Sequence, residues 1–333
     1  MQDLNTDIYQ KLTALKNEIL SVEDFYDLQL FLKVDGRKLE DLINRPLYYT
    51  FEIPKKKEGT RKIQSPSADL LAIQKHLNHY FQAIYLLEKP KEVHGFINKP
   101  DGYEYWHSIV SNAKPHVNKK HLLNMDLKDF FPSISAKTIR QILVKQIGIN
   151  DSQMADVLAL LCTYQKSLPI GAPTSPVLSN FACLEMDKDL ANFCRSHNIN
   201  YTRYADDLTF SCNDYLTETI IQDLRIIIGK HEFTINEKKF RLLSSKSKQT
   251  VTGIIVNKKV NVDRTYIRNI RAVLHHIETI GLEEAAKKHY KVVTADQFLQ
   301  KKLLFKVKGQ VDFIGQVRGK EDGIYMKLID KLK

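Results

Sequence analysis

The stretch YTRYADDLTF, residues 201 to 210, constrains this chain more than any other. Tyr201, Thr202, Tyr204, Leu208, Thr209 and Phe210 suit a pleated, half-buried strand, and aspartate does not. A hairpin reconciles the two, with Ala205, Asp206 and Asp207 at its tight turn. Whatever the fold, it must accept two adjacent carboxylates where two strands meet.

A third carboxylate belongs with them. HLLNMDL, residues 121 to 127, reads as a short buried strand ending near Asp126. A carboxylate at the end of a buried strand is costly unless it is paired or bound to a metal. If the two strands lie side by side, Asp126, Asp206 and Asp207 face one point. Three carboxylates there repel one another unless cations neutralise them, and oxygen donors of this kind suit Mg²⁺. Two such ions, with Mn²⁺ as a substitute, would activate an attacking oxygen and stabilise a leaving one in phosphoryl transfer. An Asp-Asp pair alone would more simply be a surface turn.

The rest of the chain sets the context. Lys and Arg number 50 against 39 Asp and Glu, a net charge of +11, which points to a polyanionic partner, nucleic acid first. No stretch approaches the roughly 20 apolar residues of a membrane span, and the N-terminus carries no basic-then-apolar leader, so a cytoplasmic protein is expected. Cys162, Cys183, Cys194 and Cys212 form no C-x-x-C pair and read as reduced thiols rather than a zinc site.

Residues 1 to 45 read as helices, one with Ser21 as a plausible cap. Residues 48 to 63 read as a hairpin with a basic tip around Glu58-Gly59. ADLLAIQKHLNHYFQAIYLL reads as a long amphipathic helix, and 95 to 120, with the only Trp at 106, as irregular. Helices are expected after Ser135 and after Asp151 or Ser152. A Gly-Pro turn should lead into one long helix over 175 to 197, and another helix should lie near 217 to 231. EFTIN, residues 232 to 236, reads as a strand, QTVTGIIVNKKVNV as a strand pair, and the chain from about 264 as basic helices. Strands and helices alternate irregularly, which is α+β rather than doubly wound α/β.

NMDLKDFF (124 to 131), LPIGAPTSP (168 to 176) and YADD (204 to 207), in this order, resemble the palm motifs of reverse transcriptases. The resemblance covers about 50 to 260. It implies a right-hand polymerase with fingers, a palm of antiparallel sheet plus helices, and a helical thumb. The expected division is an N-terminal helical region over 1–50, fingers over 51–120 with the helices of 135–170, a palm over 121–255 and a basic thumb over 256–333. The resemblance implies that Asp126, Asp206 and Asp207 are the catalytic, metal-binding set, with the main chain of Leu127 as a further metal ligand. NAKPH (112 to 116) and VTG (251 to 253), together with VKGQVDFIGQVRGK near the C-terminus, are similar to elements of the retron subgroup.

Further roles follow from the resemblance. Phe131 would be the gate whose ring excludes a ribose 2′-OH; the alternative is a core phenylalanine. Arg61, then Lys57, would grip the dNTP triphosphate from the hairpin tip, where a solvated charge run is the alternative. Gly171 would let the main chain approach nucleotide and template, although Ile170 stands where many relatives carry Gln. Lys239, with Lys238 competing, would act near the departing pyrophosphate. Asn112 and His116 would contact structured RNA, or be satisfied loop residues. Val251, Thr252 and Gly253 would shape the turn beneath the primer end. His94, Gly95 and Phe96 resemble an element beside the template. Arg264, Arg268, Arg271, Lys301, Lys302, Lys306 and Lys308 would neutralise RNA phosphates. The implied enzyme is an RNA-directed DNA polymerase that copies part of a cognate noncoding RNA from a 2′-OH into branched msDNA, working with a separate effector protein in anti-phage defence. The alternatives are another bacterial reverse transcriptase and a silent RNA-binding scaffold.

Overall fold

The computed structural model describes residues 6–55, 59–100 and 107–332. Lys57 and Trp106 lie outside them. Three helices open the chain: α1 (Thr6–Leu20), α2 (Phe25–Leu32) and α3 (Gly36–Asn44). The cap of α2 is Asp24, which accepts the Asp27 N–H at 2.8 Å, and not Ser21, whose own N–H ends α1 on Asn17 O. The hairpin follows as β1 (Tyr48–Pro54) and β2 (Thr60–Pro66), and its return strand runs three residues beyond Ile63. α4 (Ala68–Glu88) is a core helix in its second half, since every residue from Tyr80 to Leu86 is buried. An amphipathic stripe describes only its first turns.

Within 95–120, read as irregular, Ser108 caps the short α5 (Ile109–Ala113), and a 3₁₀ turn covers Lys114–His116. Then come β3 (His121–Asp126), α6 (Phe130–Ser133), α7 (Ala136–Ile142) and α8 (Ser152–Cys162). Ser135 and Asp151 cap α7 and α8. The expected single helix after the Gly-Pro turn is two, α9 (Ser175–Ala182) and α10 (Leu184–Ser196). The YADD hairpin is β4 (Asn200–Tyr204) and β5 (Asp207–Cys212), followed by α11 (Glu218–Lys230). EFTIN is not a strand. Only Ile235 bridges to Leu127, because β6 (Arg241–Ser244) takes the free edge of β3.

The central sheet has the antiparallel order β4-β5-β3-β6. A tight pair, β7 (Thr250–Val251) and β8 (Ile254–Ile255), leads to α12 (Arg264–Tyr290), α13 (Gln297–Arg318) and α14 (Gly323–Asp330). α12 breaks at Gly281, where φ is +80°. Burial divides the molecule. The main core joins the N-terminal helices, α4, α7 to α11 and the sheet. A second core joins α12 to α14 with Val251 and Ile254, and touches the sheet through Leu122. The four cysteines are buried and free. Among the described residues no helix is long and apolar enough to cross a membrane.

Candidate active site

Strand register brings the acidic residues together. Asp126, last in β3, lies directly opposite Asp207, first in β5. Asp207 therefore begins a strand, and the turn proper is Ala205-Asp206, with Ala205 in the left-handed region at φ +59°. The Leu127 N–H donates to Asp206 O at 2.9 Å, fastening the turn to the end of β3. In extended chain the N–H and C=O of one residue point the same way, so the Leu127 carbonyl also faces this turn. On the other edge of β3, Asn236 N–H donates to Asp126 O at 2.7 Å and its side chain donates to Asp126 Oδ1 at 3.2 Å.

The cluster is electrostatically tense. Burial raises the Asp206 carboxyl, and Asp126 adds to the rise. Burial, Asp206 and Asp126 push Asp207 up to about 7. Asp207 still keeps an exposed edge on the cleft, where solvent softens the repulsion. Among the described residues Lys239 supplies the one cation within salt-bridge distance, its Nζ 2.6 Å from Asp126 Oδ2. Among the described residues Asp206 and Asp207 form no salt bridge. Nor are three such side chains already gathered into a closed metal cage. The donor set nonetheless suits a hard divalent cation: three carboxylates and a carbonyl, all oxygen, with negative charge in excess of what Lys239 offsets.

A cleft of about 290 Å³ opens on two of these carboxylates, Asp126 and Asp207, and is lined also by Asn124, Lys239, Arg241 and Thr252. A larger cavity of about 660 Å³, with Lys91, His94, Lys114 and Arg195 in its wall, holds none of the acidic set. Chemistry rather than size therefore selects the cleft.

The other expected residues divide. Arg61 is exposed on β2, and its charge is felt by Asp206. Phe131 is half-buried in α6, its ring 5.8 Å from Phe96 and 5.4 Å from Phe130. Gly171 has φ +126°, and a Cβ there would lie 2.9 Å from Gln64 O. The close approach it permits is thus to the β1–β2 hairpin, whose Gln64 N–H donates to Ile170 O at 2.7 Å. Lys239 sits on Asp126 rather than reaching outward.

Asn112 and His116 are corrections. Both are wholly buried. The His116 ring bonds Ser211 Oγ at 2.7 Å and Thr202 Oγ1 at 2.8 Å, and burial drives its pKa down to about 3. Asn112 donates to Thr252 Oγ1 at 3.5 Å. Neither side chain presents itself to RNA; they brace the back of the sheet and the 251–253 turn. Val251 is also wholly buried and cannot offer its side chain. Thr252 (φ +46°) and Gly253 (φ +84°) form the two-residue tip, with Gly253 exposed. Arg264, Arg268 and Arg271 are exposed at spacing that puts them on one face of α12, and Lys301, Lys302, Lys306 and Lys308 are exposed on α13. Asn236 was not expected at the site, and neither were Arg203 and Asp187 beneath the turn. Arg203 had one available signal, since strand alternation places it on the same face as Tyr201 and Ala205.

Comparison with known proteins gives the family of the chain. Residues 53–316 match the family described as reverse transcriptase (RNA-dependent DNA polymerase). The chain is 35% identical over 231 residues to the retron Ec86 reverse transcriptase of Escherichia coli, covering 69% of each. It is 32% identical over 266 residues to the retron Mx65 reverse transcriptase of Myxococcus xanthus, covering 73% of this chain and 58% of that one. A solved telomerase structure from Candida albicans, at 10% identity and TM-score 0.49 over 88% of this chain and 64% of that one, is too loose a likeness to argue from.

Proposed function

The chain belongs to the reverse transcriptases, the RNA-dependent DNA polymerases, and within them to the retron enzymes, and from that premise we propose that it copies part of a structured noncoding RNA, primed from an RNA 2′-OH, into branched msDNA. The fold is α+β, a right-hand polymerase. The observation that carries the reading is the register of Asp126 opposite Asp207, one residue from Asp206, on an open cleft. In this reading β1–β2 belongs to the fingers, the central sheet to the palm and α12 to α14 to the thumb.

Asp126, Asp206, Asp207 and the Leu127 carbonyl would hold two Mg²⁺ ions, which when bound polarise the attacking and leaving oxygens. The chain's own groups do the rest. Lys239, whose Nζ lies 2.6 Å from Asp126 Oδ2 in the same cleft, would be placed to offset charge on the departing pyrophosphate. Arg61 grips phosphate from β2. Phe131, backed by Phe96, closes the floor under the sugar. The exposed arginines of α12 and lysines of α13 neutralise the RNA backbone. A separate effector and a role in anti-phage defence complete the proposal.

Sequencing the nucleic acid that copurifies, before and after dNTP addition, tests it. DNA joined to an internal 2′ position of RNA is expected. Unattached DNA would leave a polymerase that primes in another way, and no DNA would favour an RNA-binding scaffold.

Two consequences are measurable. Phe131→Ala should admit ribonucleotides, lowering deoxy-over-ribo selectivity by about tenfold or more, since steric exclusion is the discriminating element. Unchanged selectivity in single-nucleotide extension would return Phe131 to the core. The second concerns pH. Asp207 has a higher pKa folded (about 7) than an ordinary aspartate, so it does not penalise the fold at acid pH. Stability from this group is lost as pH rises through about 7. Added Mg²⁺ should therefore raise the melting temperature clearly at pH 8 and little at pH 5. Equal shifts at both pH values would count against metal binding by this carboxylate.

A further inference from the structure

Arg203 heads the large side chains that the fold buries completely. A guanidinium removed from water is costly unless its donors are met. Here Nε donates to both oxygens of Asp187, at 2.8 and 3.1 Å, and Nη2 donates to Asp187 Oδ2 at 2.6 Å. Nη1 donates to Asn180 Oδ1 at 3.0 Å and to the main-chain carbonyl of Ala205 at 3.0 Å. Asp187 also accepts from Tyr201 Oη at 2.7 Å.

The bond to Ala205 sets this network apart from ordinary core packing. Ala205 O belongs to the peptide that precedes Asp206. The peptide that follows is held from the other side, because Asp206 O accepts the Leu127 N–H at 2.9 Å. Fixing both flanking peptides fixes the direction of the Asp206 Cα–Cβ bond, and it does so at a turn whose Ala205 sits in a region that non-glycine residues avoid.

Asn180 carries the network further. Its Nδ2 donates to Gly95 O at 3.0 Å and to Phe96 O at 3.4 Å. A Cβ on residue 95 would lie 2.5 Å from Ala205 N, so the 94–96 segment rests directly on the turn. The Phe96 ring in turn backs Phe131.

We propose that Arg203, Asp187 and Asn180 form one positioning unit, in which Arg203 aims Asp206 by holding the peptide before it and Asn180 ties that turn to the Phe96–Phe131 wall beneath the incoming sugar. The inference rests on the polymerase reading of the cleft. None of the three is a catalytic residue; each acts through a neighbour.

Single-turnover dNTP incorporation by the purified protein–RNA complex, with rate and amplitude read separately across a Mg²⁺ titration, tests it. Arg203→Lys keeps a cation beside Asp187 but lacks the fork that spans Asp187, Asn180 and Ala205 O. The rate per active complex should fall about tenfold or more, because misplacing a reacting group by on the order of 1 Å can cost about a hundredfold. The Mg²⁺ midpoint should rise with it. A merely structural role would lower amplitude and melting temperature and leave rate and midpoint at wild-type values, and that result overturns the inference. Should Arg203→Lys not fold, Asn180→Ala decides: deoxy-over-ribo selectivity should drop about threefold or more, and unchanged selectivity rejects the unit. Wild type runs alongside; if it incorporates nothing, the polymerase reading itself has failed, and this inference with it.

Discussion

Asp206→Asn is expected to lower dNTP incorporation on the copurified RNA by at least about three orders of magnitude, the scale expected when charge stabilisation at a reacting centre is lost. Asparagine keeps the size of aspartate, and the turn is held by main-chain bonds, from Arg203 to Ala205 O and from Leu127 to Asp206 O, that the substitution does not touch. What changes is the charge, and in the folded protein that charge is a burden. Burial and Asp126 both raise the Asp206 carboxyl above its ordinary range. Neutralising it should therefore leave the melting temperature unchanged or higher in the absence of metal. RNA affinity should not move, since Asp206 is not on the basic face of α12. Lost incorporation with retained stability and RNA binding is the combination that identifies a metal-binding carboxylate. Activity within about tenfold of wild type would remove Asp206 from the chemistry.

The parts of this site that were legible in the sequence are those fixed by local pattern. The YADD hairpin follows from strand-forming residues around a turn, and Asp126 follows from an apolar run with one acidic end. Pairing of the two strands needed only that both be buried. What stayed illegible depends on tertiary competition. EFTIN has strand-forming residues, yet β6 occupies the edge of β3 that it would need. Nothing in the sequence marks the break at Cys183 that divides one expected helix into two. Asn112 and His116 looked available because polar loop residues generally are. Their partners, Thr252, Thr202 and Ser211, stand 86 to 140 positions away. Arg203 escaped notice for the same reason. A charged residue reads as exposed until a buried acid is known to face it, and Asp187 lies on a helix 16 residues earlier.

That buried pair yields the largest expected effect on stability. Arg203→Met would leave Asp187 wholly buried without its cation and should cost about 3–5 kcal/mol, the usual result of removing one partner from a buried ion pair. Asp187→Leu should cost a similar amount by stranding the guanidinium. The double substitution removes both charges and fills the space with apolar groups, which is often neutral for a buried pair. Here Tyr201 Oη and Asn180 Oδ1 also lose partners, at about 1–3 kcal/mol each when left unsatisfied. The double variant should therefore regain part of the loss: less stable than wild type, more stable than the sum of the two singles predicts. Its catalytic rate should not recover, because no donor then holds Ala205 O. Urea unfolding and single-turnover incorporation on the same preparations would separate the two effects. If the double variant recovered rate in step with stability, the salt bridge would be packing alone, and Asp206 would find its direction without help.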